Sequence, residues 1–408
     1  MSEQMQRFAS FAVRGDELVI GDTALSQLAA RVGRTPFYAY DRALLAERVR
    51  QLRAALPQAI SLHYAVKANP MPALVAHVAR LVDGLDVASA GELRVALDAG
   101  MAPREISFAG PGKRAAELEA AVAAGILVNV ESMRELQLLD DISNRLGVPA
   151  RVAVRVNPDF ELKSSGMKMG GGPKQFGIDA ELVPEALADI RRRRLAFEGF
   201  HIFSGSQNLR AAAICEAQTK AFELALQLAT FAPAPPRVIN LGGGFGIPYF
   251  PGEVPLDLAP IGRNLAQLVQ RAERETDGAQ LVVELGRYIV GEAGVFVTRV
   301  IDRKVSRGEV FLVVDGGLHH HLAASGNFGQ VIRKNYPVCN GTRVFGEPRE
   351  VVSVVGPLCT PLDLLGDRVE IGAADQDALI VVMQSGAYGL TASPTRFLSH
   401  PEPIEVLV

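Results

Sequence analysis

Cysteine, uninterrupted apolar sequence and net charge are all scarce in this chain of 408 residues. Only Cys215, Cys339 and Cys359 are present, an odd number without metal-ligand spacing, which argues against a disulfide framework or a structural zinc site. Every apolar run is broken by charge or glycine before it could span a bilayer, and Met1 to Arg7 holds no stretch of signal-peptide length. A cytoplasmic protein with no membrane segment is therefore expected. A formal charge of −3 leaves no broad basic field for nucleic acid or anionic lipid, which favours small-molecule chemistry.

What the chain has is core-forming material: 48% of its residues are hydrophobic, 21% are charged, and no biased tract runs long, so it should be ordered throughout. From about residue 59 to 284, short β-branched runs alternate with helical patterns. Eight such runs occur: Ser61 to Val66, Gly84 to Ala88, Glu105 to Phe108, Ile126 to Val130, Arg151 to Val156, Phe197 to Ile202, Val238 to Leu241 and Leu281 to Glu284. Between them lie Ala- and Leu-rich helical stretches such as Ala115 to Ala124 and Ala211 to Ala229. Eight alternations predict an α/β fold, a (β/α)8 TIM barrel over residues 30–285, with its site at the C-terminal ends of the strands. A doubly wound sheet is the alternative.

The flanks read as β structure. Phe8 to Val13 and Glu17 to Ile20, separated by Arg14-Gly15-Asp16, predict a hairpin; Val295 to Ile301, Val310 to Val314, Val351 to Val355 and Ala378 to Val382 predict further strands. Residues 1–29 and 286–408 together are expected to build a second, mostly β domain.

Several polar residues stand at the predicted strand ends. Lys67 follows the first strand beside Ala65, Val66 and Ala68; burial there would lower its pKa and free the amine to condense with an aldehyde. A solvent-facing lysine is the competing reading. Gly242-Gly243-Gly244 follows the seventh strand, where backbone amides can approach a phosphate, although a tight turn would need the same residues. Glu284 and Arg287 close the eighth strand. A carboxylate there could keep a pyridine nitrogen protonated, or form a structural ion pair. His201, near the end of the sixth strand, could lie against a planar cofactor or be a satisfied structural histidine.

Taken together these pieces resemble the fold-type III pyridoxal phosphate decarboxylases, the family of diaminopimelate, ornithine and arginine decarboxylases, over nearly the whole chain. Tyr64-Ala65-Val66-Lys67-Ala68-Asn69 resembles the Schiff-base segment, Asp86-Val87-Ala88-Ser89-Ala90-Gly91-Glu92-Leu93 the second-strand motif, and Arg155-Val156-Asn157-Pro158 the fifth-strand arginine near the cofactor. His201 matches the histidine stacked on the ring, Gly242 to Gly244 the phosphate loop, Glu284 the partner of the pyridine nitrogen, and Arg287 its neighbour near phosphate or substrate. Gly356-Pro357-Leu358-Cys359 resembles the segment a second subunit contributes, and Gly386-Ala387-Tyr388 the tyrosine segment near the phosphate. The resemblance implies pyridoxal 5′-phosphate as cofactor, no catalytic metal and a homodimer with shared sites. It also implies loss of CO2 with Glu284 supporting the electron sink, then reprotonation of Cα by Cys359 or Lys67.

The departures bear on the substrate. Thr360-Pro361-Leu362-Asp363 follows the cysteine where the family has an acidic residue for a distal amino group. The stretch Asp315 to Phe328, with His319-His320-His321, holds no arginine before Arg333, where diaminopimelate decarboxylases carry one for a distal carboxylate. The three adjacent histidines predict a loop role rather than a metal site. His201 is also farther from Ser206-Gln207 than in the family's pattern, which leaves open the serine that meets the phosphate; Ser165 to Gly177 is an elaborated glycine-rich loop.

This pattern is similar to a subgroup that includes a decarboxylase of glutamyl groups on an acyl-carrier protein, with other members associated with exosortase and exopolysaccharide gene sets. A carrier-bound amino acid is thus the expected substrate; free diaminopimelate, ornithine or lysine is the alternative. A racemase on the same fold, or a pyridoxal phosphate protein without turnover, are the rivals. Arg191 to Arg194 could meet an acidic carrier, though at a helix C-terminus cations simply complement the dipole.

Overall fold

All eight central runs form strands in the computed structural model, which describes residues 10–160, 167–168, 171–328, 330 and 332–408. They are β1 (Ser61–Ala65), β2 (Gly84–Val87), β3 (Ile106–Phe108), β4 (Leu127–Val130), β5 (Arg151–Asn157), β6 (Ala196–Ile202), β7 (Val238–Gly243) and β8 (Gln280–Leu285). All pair in parallel with their neighbours; β8 pairs β1 and β4 pairs β5, so the sheet closes into a barrel. The doubly wound alternative would leave two open edges and is excluded. Closure also explains the apolar runs: with helices outside and packed side chains inside, neither face of a strand meets water.

The helices fall where their composition places them, at Ala115–Ala124 and Ala211–Ala229. Local chemistry sets several ends. Ser89 caps Ala90–Asp98 by accepting from the Glu92 amide at 3.2 Å, and Ser132 caps Met133–Leu146 through the Glu135 amide at 3.3 Å. Gly125 ends the Ala115–Ala124 helix at φ 75°, a left-handed conformation that glycine adopts freely.

Arg191–Arg193 fill the last turn of the helix Val183–Arg193, with Arg194 as its C-cap. Arg192 and Arg193 pair with Asp189, Arg193 also reaches Asp140 at 3.0 Å, and Arg191 donates to the Ala232 carbonyl at 3.1 Å. Barrel helices run antiparallel to the strands, so this turn lies at the end opposite the strand C-termini. The basic run complements a helix dipole and does not border the site.

The chain divides into two compact units, one holding the chain up to Glu47, Pro248–Glu253 and Ile289–Val408, the other Arg48–Ile247 and Val254–Tyr288. The sequence boundaries at 29/30 and 285/286 therefore differ from the observed ones. The first difference is explained by Phe37–Tyr40, an all-buried strand that pairs antiparallel with Gly294–Ser306 and parallel with Ile404–Leu407. A buried strand carries no mark of which sheet it joins.

Within this β unit, Glu309–Val314, Arg349–Val355 and Leu379–Val382 extend the same sheet system, as their composition predicts. Ala12–Arg14 and Glu17–Ile20 form the predicted hairpin; Gly15 and Asp16 both have positive φ, the two-residue turn that matches strand twist. Phe8 and Ala9, Met1 to Arg7 and parts of the Ser165 to Gly177 segment lie outside the described residues. A core of Leu18, Ile20, Leu25, Leu28, Phe37 and Val297 binds hairpin and sheet together.

Candidate active site

Every barrel strand carries a buried polar residue on the inward side. His63, Asp86, Ser107, Asn129, Arg155, His201, Asn240 and Glu284 come one each from β1 to β8, and all are buried. Barrel interiors are ordinarily filled with branched apolar side chains. A buried polar ring is costly unless its members pair with one another or with a ligand.

Much of the pairing is internal. His63 Nδ1 lies 3.0 Å from Asp86 Oδ1, Ser107 Oγ donates to the same oxygen at 2.6 Å, and Asn129 Nδ2 donates to Ser107 Oγ at 3.2 Å. Asn240 Nδ2 donates to Glu284 Oε2 at 3.1 Å, and His201 Nε2 stands 3.2 Å from that oxygen without hydrogen-bond alignment. Both contacts use Oε2. Burial opposes ionisation of Glu284, yet the charges of His201, Lys67 and Arg155 hold its carboxyl well below the usual carboxylate range.

Arg155 Nη1 donates to Glu131 Oε1 at 2.8 Å, and its guanidinium carbon lies 5.1 Å from the Phe176 ring centroid. Glu131 also accepts from the amides of Gly110 and Gly177, while Lys113 makes a two-pronged pair with Glu135 at 2.9 and 3.1 Å. The Glu131 carboxyl is shifted down: burial acts against ionisation, and Arg155 and Lys113 outweigh it. Two buried ion pairs thus brace the ends of β3 to β5 and tie down the Gly177 end of the glycine-rich loop.

Lys67 differs from expectation. It sits on a 3-10 turn, Val66–Ala68, just beyond β1, and it is exposed, with Nζ 5.7 Å from the Phe203 ring centroid. The turn carries the side chain beyond the strand, and its charge acts on Glu284 and Glu92.

At the end of β7 the glycines are required by space. A Cβ on Gly243 would stand 1.8 Å from the Glu284 carbonyl oxygen, and one on Gly244 2.3 Å from the Gly205 carbonyl oxygen. Gly242 and Gly244 have φ of 71° and 79°. Ser206 follows Gly205 on a two-residue strand that pairs with Met167–Lys168, and its buried Oγ has no partner. Arg287 is half-buried at the start of the Arg287–Val290 helix.

Cys359, Tyr388 and the histidine run belong to the β unit. Cys359 is an exposed free thiol, and Tyr388 is half-buried with φ 53°. Asp363 is buried and accepts from the amides of Leu318 at 2.6 Å and Leu358 at 2.8 Å, stapling the two segments. His319, His320 and His321 are buried. Desolvation pushes their pKa values down to about 3, 4 and 3, so the imidazoles are neutral near pH 7. His321 Nε2 is 2.9 Å from Ser385 Oγ. Among the described residues no cluster of histidine, cysteine or acidic side chains is placed to hold a metal ion.

Sequence reasoning missed His63, Ser107, Asn129, Asn240 and the Glu131–Glu135–Lys113 group. The available signal was a polar residue in the interior of a largely apolar strand, as His63 in Ser61-Leu62-His63-Tyr64-Ala65 or Asn240 in Val238-Ile239-Asn240-Leu241.

The residues present fit pyridoxal phosphate. A glycine cradle closed to any Cβ adjoins an orphaned serine hydroxyl, as a phosphate requires. Glu284 has Oε1 outside both of its contacts, and Asp86 Oδ2 is buried without a partner. An exposed lysine adjoins them at the barrel mouth.

A closed parallel barrel with this site defines a pyridoxal phosphate enzyme of the barrel type, and the comparisons with known proteins narrow the class. The model of the pyridoxal-dependent decarboxylase, pyridoxal binding domain, matches residues 42–291. The chain is 42% identical to the L-glutamyl-[BtrI acyl-carrier protein] decarboxylase of Niallia circulans, covering 91% of this chain and 88% of the relative. It is 35% identical to a diaminopimelate decarboxylase of Aquifex aeolicus, over 97% and 91%. Diaminopimelate decarboxylase from Helicobacter pylori complexed with L-lysine superposes with a TM-score of 0.82 at 27% identity, over 94% of both chains. The protein belongs to the pyridoxal-dependent decarboxylase family and is a pyridoxal phosphate-dependent amino acid decarboxylase.

Proposed function

We propose that the substrate is an α-amino acid whose distal end is uncharged because it is joined to a carrier protein, a glutamyl group on an acyl-carrier protein being the nearest chemistry. The observation that carries this is the fate of Asp363 and Arg333, the nearest acidic residue after Cys359 and the first arginine after Asp315, where the chain departs from the family pattern. Asp363 is consumed by two backbone amides. Arg333 donates to the carbonyls of Ser325 at 3.1 Å and Leu364 at 2.8 Å and to Asn335 at 2.9 Å. The intervening histidines are neutral. Neither Asp363 nor Arg333 is left to pair with a distal ammonium or carboxylate, whereas a thioester or amide needs no such partner. The 42% identity to a decarboxylase of that named substrate supports the same reading.

Bound at the barrel mouth, pyridoxal phosphate supplies an aldehyde for the substrate amine and an electron-accepting ring. The amides of Gly242 to Gly244 and the Ser206 hydroxyl would hold the phosphate, with Arg287 and Tyr388 as further candidates. Glu284, ionised and anchored through Oε2, would keep the pyridine nitrogen protonated through Oε1. His201 and Asp86 would stand beside the ring, and Arg155, the register partner of His201, is held by Glu131. Lys67 would hold the aldehyde carbon and, like Cys359 of a second copy, could return a proton to Cα. Sites of this kind imply a homodimer.

CO2 release should be measured on glutamyl-carrier thioester and on free diaminopimelate, ornithine and lysine. Turnover of the thioester alone is expected; efficient turnover of a free diamino acid would overturn the proposal.

A further inference from the structure

Asp86 and Glu284 stand on the two strands that flank β1, and His63 lies between them. It is the register partner of Glu284 across β8 and β1, and its Nδ1 is 3.0 Å from Asp86 Oδ1. Its neighbour on β2, Gly84, leaves the space that the ring fills: a Cβ there would stand 2.5 Å from His63 Nε2. Ser107 Oγ donates to the same Asp86 oxygen, and Asn129 backs that hydroxyl.

Asp86 Oδ1 is therefore engaged from two sides while Oδ2 is buried with no partner. An orphaned buried carboxylate oxygen is costly, and one whose sister oxygen is locked in place is held ready for a ligand. The carboxylates of Asp86, Glu284 and Asp83 act most strongly on the imidazole, while Lys67, Arg155 and His201 gather around Glu284. Burial pushes His63 toward the neutral form, and these carboxylates reverse that, raising its pKa above the ordinary histidine value.

We propose that His63 is a positioning residue for the reaction: set between the strands of Asp86 and Glu284, its Nδ1 fixes Asp86 Oδ1 and so holds Oδ2 toward the cofactor. The proposal rests on reading the C-terminal mouth of the barrel as the cofactor site. His63 acts through Asp86 and touches no reacting atom.

Two measurements test it. In cofactor-free protein, the His63 imidazole is titrated by NMR; its midpoint should lie above that of an unperturbed histidine and fall by about one pH unit in Asp86→Asn. An unmoved midpoint overturns the proposal. In loaded enzyme, the long-wavelength absorbance of the bound cofactor is followed against pH. His63→Phe, which fills the space without donating, should weaken cofactor binding about tenfold and move the spectral midpoint by about one pH unit. His63→Gln, which donates without charge, should recover part of the affinity but not the midpoint. If both variants lower only the unfolding midpoint and leave affinity and spectrum as in the wild type, His63 merely packs and the proposal fails. Absence of cofactor binding in the wild type would overturn the site reading, a result distinct from an unmoved imidazole titration.

Discussion

Glu284 shows how much a single position depends on its surroundings. Burial raises the pKa of its carboxyl, while His201, Lys67 and Arg155 pull it below the usual carboxylate range. Glu284→Gln keeps the shape and removes the charge, so steady-state decarboxylation should fall by on the order of 10² while the unfolding midpoint changes little. Lys67 makes the converse case. Because its side chain is exposed, Lys67→Ala should keep stability within about 0.5 kcal/mol yet lose the long-wavelength absorbance of the attached cofactor. A Lys67→Ala protein that still shows that band would contradict the assignment. Both residues were legible in the sequence as strand-end polar groups, but the burial expected for Lys67 was not met, because a 3-10 turn after β1 carries it beyond the strand.

At the scale of elements, β7 and β8 approach so closely at Gly243 that no side chain fits between them. Gly243→Ala must push the strands apart. Loss of several kcal/mol in urea unfolding is expected by analogy with overpacked cores, together with weaker cofactor binding; a variant as stable as the wild type would show that the strands can yield.

The histidine run predicts a pH effect. His319 has a folded-state pKa near 3 against an ordinary 6.5, so between those values the unfolded chain binds the extra proton. Stability is then complete above about pH 6.5 and falls as the solution is acidified toward pH 3. His319→Leu should flatten the plot of unfolding free energy against pH in that window by up to about 1.4 kcal/mol per pH unit. An unchanged slope would mean that His319 protonates freely in the folded protein. From sequence the run was readable only as a loop, since three neighbouring histidines do not announce whether they are buried.

For the whole molecule, the proposed sharing of sites between two copies has an arithmetic consequence. If Lys67 comes from one subunit and Cys359 from the other, mixing inactive Lys67→Ala and Cys359→Ala proteins after subunit exchange should restore about one quarter of wild-type activity, because half the dimers then carry one intact site of two. No recovery after confirmed exchange would place both residues in the same subunit's site.

The strand rhythm, the helix-forming stretches and the residues at the strand ends were determined by the sequence itself, because periodicity and composition are local properties of the chain. The family resemblance followed from those same strand-end residues in order. Three things were decided only by tertiary structure. Closure of β4 onto β5 converted eight strands into a barrel. The pairing of Phe37–Tyr40 with Gly294–Ser306 moved the domain boundary. The convergence of eight inward side chains brought His63 between Asp86 and Glu284. Each depends on contacts between residues far apart along the chain, which a local pattern does not encode.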